Sequence, residues 1–184
     1  MPIPSGYTSG QVVQAVPTGI NSALVRVGGG ALSGSSTAFA SVFSATYDAY
    51  QIVVSNVQTS AVDAWLALQL GSTITGYYGA ASTANFATGN YTGGINFSNT
   101  SNFQYVFAIS NPATNINGGS VTLFNPFQTK RTTMSGFVAR LNTAGYAGAV
   151  GGFQDSDTSF TGFTLIPSTG TMTGTCNIYG YTLS

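Results

Sequence analysis

Charge is what this sequence has least of. Of 184 residues, 4 % are charged, where soluble domains average about 25 %. Arg26, Lys130, Arg131 and Arg140 stand against Asp48, Asp63, Asp155 and Asp157, and there is no Glu and no His. Net charge is zero, so repulsion gives a free monomer little protection against association. Such a chain suits an assembly that covers much of its surface. The absence of His removes the commonest general base near neutral pH and the commonest metal ligand. With four carboxylates in the whole chain, no enzyme, cofactor or catalytic metal is expected. The one cysteine, Cys176, has no partner for an intramolecular disulfide. Its place in an expected strand reads as a small buried hydrophobe rather than a reactive thiol.

Other absences narrow the partners. Lys130-Arg131 is the only basic pair, too little for a surface that tracks phosphates, so no nucleic acid is expected. No run of about 18 apolar residues exists, so no membrane insertion is expected. The opening Met1-Pro2-Ile3-Pro4-Ser5-Gly6 has neither a basic segment nor an apolar core and is not read as a secretory signal. The Asn-x-Ser/Thr matches at Asn90, Asn96 and Asn99 are read as coincidence in a chain this rich in Asn, Ser and Thr.

What is present is hydrophobic and aromatic: 43 % and 12 % of residues, with twelve Phe, ten Tyr and one Trp. That composition excludes a disordered chain and supplies a core. Gly, Ser, Thr, Asn and Pro recur too often for long helices. Short runs alternate instead: Tyr50, Ile52 and Val54; Leu66, Leu68 and Leu70; Phe103, Tyr105, Phe107 and Ile109. Val121 with Leu123, Phe137 with Ala139 and Leu141, and Phe163 with Leu165 continue the pattern. Period two between turn signals predicts antiparallel sheets with one buried face. Asn117-Gly118-Gly119 is an expected turn before a strand near Ser120. Pro167-Ser168-Thr169-Gly170 is expected to close a C-terminal hairpin of about 160–166 and 171–183. About eight strands after residue 36 predict an all-β, antiparallel jelly-roll-like β-sandwich.

Residues 1–35 look different from the sandwich expected over 36–184. Val12, Val13, Val16, Ile20, Leu24 and Val25 are too apolar to leave in water. They suggest an extended N-terminal arm that reaches a neighbouring subunit by strand addition, with Gly28-Gly29-Gly30 as its hinge. A frayed terminus or an extra strand folded onto its own domain is the alternative.

Several segments resemble bacteriophage virion jelly-roll proteins, namely capsid decoration (cement) proteins and small tail-fibre or receptor-binding domains. The run from Phe160 to Tyr181 is similar to their closing strands, with a Ser/Thr/Gly turn followed by Gly174-Thr-Cys-Asn-Ile-Tyr-Gly180. Phe43 to Val54, containing Tyr47-Asp-Ala-Tyr50, is similar to their opening. Tyr77-Tyr78-Gly79 resembles one of their loops, and Ser9-Gly-Gln-Val-Val-Gln14 the start of phage appendage proteins. The resemblance implies a non-enzymatic homotrimer on the virion surface, assembled in the host cytoplasm. Its expected role is to bind across junctions of the major capsid protein and stabilise the shell. The alternative role is a tail protein that recognises a host glycan, and a carbohydrate-binding domain detached from an enzyme is a third.

Candidate sites follow. Tyr77, Tyr78 and Tyr91 are expected in surface loops near Asn85, Asn90, Asn96 and Asn99, where aromatic faces and amides could meet a sugar or simply pack. Asp155-Ser156-Asp157 offers two carboxylates to a hard cation but lacks the longer ligand pattern of a calcium loop, so a solvated loop is the expected role. Trp65 is expected to pack in a core or subunit contact.

Overall fold

The computed structural model describes residues 24–61, 64–109, 117–140 and 145–181. These form twelve strands: β1 Val25–Gly34, β2 Thr37–Phe39, β3 Ala49–Thr59, β4 Ala64–Leu70, β5 Tyr77–Asn85 and β6 Tyr91–Thr100. The second half adds β7 Phe103–Ile109, β8 Asn117–Phe124, β9 Thr132–Arg140, β10 Tyr146–Gln154, β11 Phe163–Pro167 and β12 Met172–Tyr181. An eight-stranded sheet runs β1-β12-β3-β8-β9-β10-β5-β6, and a four-stranded sheet runs β2-β11-β4-β7. All pairings are antiparallel. No helix among the described residues is long and apolar enough to cross a membrane.

With β5, β6, β9 and β10 set aside, the remaining strands run β1-β12-β3-β8 opposite β2-β11-β4-β7. The chain crosses between these two sheets at every step except β4 to β7, which pair within the smaller sheet, and it places its last strand beside its first. This is the double Greek key of a jelly roll. The strand pairs β5-β6 and β9-β10 are insertions into it. They join each other through β10 and β5 and thereby double the width of one sheet.

Alternation places the core between the sheets. Tyr50, Ile52 and Val54 of β3 and Val121 and Leu123 of β8 face Leu66, Leu68 and Leu70 of β4, Phe103 of β7 and Leu165 of β11. Each such side chain stabilises the fold by about 1.5–3 kcal/mol when fully buried. The tyrosine hydroxyls inside this core are satisfied. Tyr50 Oη accepts the Ser44 N–H at 2.7 Å and donates to the Ser44 carbonyl at 3.0 Å. The aromatic rings of Phe43, Tyr50 and Phe163 interlock at centroid distances of 4.7 and 5.7 Å.

Four expectations are corrected. Val25–Gly34 is the first strand of the jelly roll, so Gly28-Gly29-Gly30 is part of β1 and the sandwich begins before residue 36. Gly29 adopts φ 138°, and a side chain there would collide with the Cys176 carbonyl, so this glycine serves close pairing with β12. β11 and β12 are not a hairpin: β11 pairs β2 and β4, whereas β12 pairs β1 and β3. Asn117 and the glycines after it already belong to β8. On β9, Met134 and Val138 face the core, and Phe137 with Ala139 faces outward.

Candidate functional site

Of the six apolar positions expected in an arm, Val12, Val13, Val16 and Ile20 lie outside the described residues. Leu24 and Val25 lie at the start of β1, both exposed. Tyr77 is a core residue rather than a loop residue. Its exposure is 0 %, its ring meets Phe103 edge-on at 4.9 Å, and its hydroxyl accepts the Leu70 N–H at 2.8 Å. Burial pushes its phenol up to about 12, against a smaller lowering by that hydrogen bond. It therefore cannot touch a ligand outside the protein. Tyr78, the next residue on β5, points the other way and stacks on Phe153 at 5.2 Å. Tyr91 lies in β6, the edge strand. Trp65 is half-buried and stacks on Tyr105 at 4.5 Å, a packing role as expected.

Asp155 is held by Arg131, Oδ1 to Nη2 at 2.7 Å, and the same guanidinium lies 6.0 Å from the Phe153 ring centre. That ion pair is half-exposed and uses the charge a cation would need. Among the described residues no three His, Cys, Asp or Glu side chains gather at a metal-binding distance. The Cys176 thiol is buried in the core, which pushes it up to about 12 and keeps it protonated at neutral pH.

The strands of the four-stranded sheet carry no charged residue, and the broader uncharged surface is the outward face of the large sheet. Across β3, β8, β9, β10 and β5, register aligns Val53, Ser120, Phe137, Ala149 and Ser82 in one row. Gln51, Thr122, Ser135, Gly151 and Ala80 form the next. On β12 the outward residues are Thr175, Asn177, Tyr179 and Tyr181. None of these side chains is charged. Among the described side chains, charge borders this face at Arg26 on β1, whose Nε donates to Asn177 Oδ1 at 2.9 Å, and at the Arg131–Asp155 pair at one end. Phe137 stands 75 % exposed among small neighbours. Its ring forms one wall of a shallow depression of about 390 Å³, otherwise lined by Ser120, Thr122, Ser135, Gly136, Ala149 and Val150. Sequence reading missed this face because it assigned Phe137 to the core, although Met134 and Val138 offered an equally apolar alternative on the other side of β9.

No family model, no curated protein and no solved structure matches the chain.

Proposed function

We propose that this chain is a structural subunit of a bacteriophage particle, a capsid decoration protein whose work is mechanical rather than chemical. The observation that carries the assembly reading is the state of the sheet edges. The four edge strands β1, β6, β2 and β7 contain no Pro and no Lys, and Arg26 is their only charge. Proteins that remain alone protect such edges with charge, Pro, bulges or a covering element. Among the described residues the edges carry bulges, at Arg26/Gly28 of β1 and in the pairings of β6 and β7, the single charge of Arg26, and a very short β2. β1 and β6 are ten residues long each, enough to accept an added strand from a neighbour. The resemblance of the 43–54 and 160–181 segments to virion jelly rolls supports a particle surface as the place where those edges are covered. A subunit that buries surface on several shell proteins at once stays bound even when each contact is modest, because dissociation requires all of them to open together.

The test is the copy number of the chain in purified virions, by quantitative mass spectrometry against the major shell protein. A number comparable to that protein supports decoration. A number far below it moves the chain to the tail and overturns the decoration reading, and absence from the particle overturns the virion reading altogether.

A further inference from the structure

A single exposed Phe on a soluble protein needs no explanation. A sheet face spanning six strands without one charged side chain does, because the solvent side of an antiparallel sandwich is where charges are ordinarily carried. The face from β12 to β5 has the anatomy of an interface instead. Its centre is uncharged and holds an exposed aromatic, and its charges lie at the rim. The inserted strands create most of it, since Phe137, Ala149, Gly151, Ala80 and Ser82 all sit on β9, β10 and β5.

We propose that this face binds a second copy of the chain across a two-fold axis, with Phe137 of each copy seated in the depression beside Phe137 of the other. A two-fold contact requires one surface to be complementary to itself, and here a knob and a hole occur side by side. The residues around Phe137 are Ser120, Ala149, Ser135 and Ala139, so the ring stands clear of its own face, and the 390 Å³ depression has room for a phenyl group. Small side chains in the flanking rows let two sheets approach to the ordinary face-to-face spacing of about 10 Å. Five strands at about 4.8 Å spacing, each contributing about eight residues, give roughly 600 Å² per copy. That makes about 1,200 Å² in total, the lower end of stable specific interfaces. Neutrality is consistent with a like partner, because two copies bring no charge to be stranded in the contact. A saccharide fits less well: the depression offers three hydroxyls and no amide or carboxylate to orient it. The contact leaves the edge strands β1 and β6 free for other neighbours.

The inference stands apart from the particle reading, since its assay uses the purified chain and not virions. Sedimentation velocity of the full chain over a concentration series is expected to show a reversible dimer. Phe137→Ser and Ser135→Lys are each expected to raise its dissociation constant at least tenfold. Both positions are exposed, so circular dichroism and the unfolding midpoint should stay those of the parent. Three results overturn the proposal: a monomer at about 100 μM, an oligomer of any order that neither substitution weakens, or a monomer that binds a glycan array through Phe137.

Discussion

Replacing Tyr77 by Phe removes one oxygen from the core and leaves the ring in place. The ring contact with Phe103 at 4.9 Å is unaffected, so the loss falls on the hydrogen bonds. Leu70 N–H donates to Tyr77 Oη at 2.8 Å, and the hydroxyl is 3.2 Å from the Thr73 carbonyl. Without the oxygen, the Leu70 N–H is left buried beside the end of β4 with no acceptor. An orphaned buried donor costs about 1–3 kcal/mol. Taking about 2 kcal/mol, the melting temperature of a domain this size falls by about 4–8 °C. Tyr77→Ala adds a cavity and should cost about 3–5 kcal/mol. Urea unfolding with an unchanged m-value is the assay. If Tyr77→Phe shifts stability by less than about 0.5 kcal/mol, water or a relaxed backbone serves Leu70 and the sealed-core description of this tyrosine is wrong. If the variant instead keeps full stability and loses binding to host cells, Tyr77 belongs to a recognition surface after all.

Thr132 Oγ1 is buried with no hydrogen-bond partner, so Thr132→Val should stabilise by about 1 kcal/mol in the same urea assay; a loss of stability would reveal a partner for that hydroxyl. Gly148 faces β5 so closely that an added Cβ would run into the Ser82 carbonyl. Gly148→Ala should therefore cost about 3 kcal/mol, and hydrogen exchange should show the β10–β5 amides opening first. Burial raises the Cys176 thiol from 9.0 and the Tyr77 phenol from 10.0, each to about 12. The folded state holds both protons more tightly than the unfolded state. The stability they contribute is complete below about pH 9 and is lost as pH rises towards 12. Denaturation midpoints measured from pH 8 to 11 should fall with rising pH, and Cys176→Ala should flatten the start of that fall.

Much of the jelly roll was legible because its central strands carry a strong difference between faces. Tyr50, Ile52 and Val54 alternate with Gln51, Val53 and Ser55, and Leu66, Leu68 and Leu70 repeat every second residue, so burial in β3 and β4 follows from period two. On β9 the same rule could not choose a side. Phe137 and Ala139 compete with Met134 and Val138, and no charge marks the face that meets water. Tyr77 and Tyr78 looked like loop residues because Gly76 and Gly79 flank them. Gly79 is in fact inside β5, where the Phe97 ring fills the space a side chain would take. The Pro167–Gly170 turn is locally the same chemistry whether it joins neighbours in one sheet or carries the chain to the opposite sheet. What decides is the pairing of β12 with β3 and β1, more than a hundred residues away. Tyr105 breaks its expected row for a similar reason. It adopts φ 58° at a bulge against β4, a conformation no alternation pattern encodes, and its ring turns to Trp65.

The two insertions tie these observations to function. A jelly roll closes its core with eight strands, and β5, β6, β9 and β10 are not needed for that. Their inner side chains, Ala81, Phe97, Val138 and Val150, are buried, with β7 packed beneath this half of the sheet. The inner face is therefore what makes the extension stable. Its outer face, with Phe137 exposed among Ser, Thr, Ala and Gly, contributes nothing to the fold of a single chain and weakens its solubility. A domain selected to stay alone would gain by placing Lys or Glu at Ser135, Ala149 or Ala80, where the side chain points into water and the strand tolerates it. Uncharged residues at all three positions make sense where the face is covered by another surface. That is why the extension is better understood as a built contact than as an enlarged core.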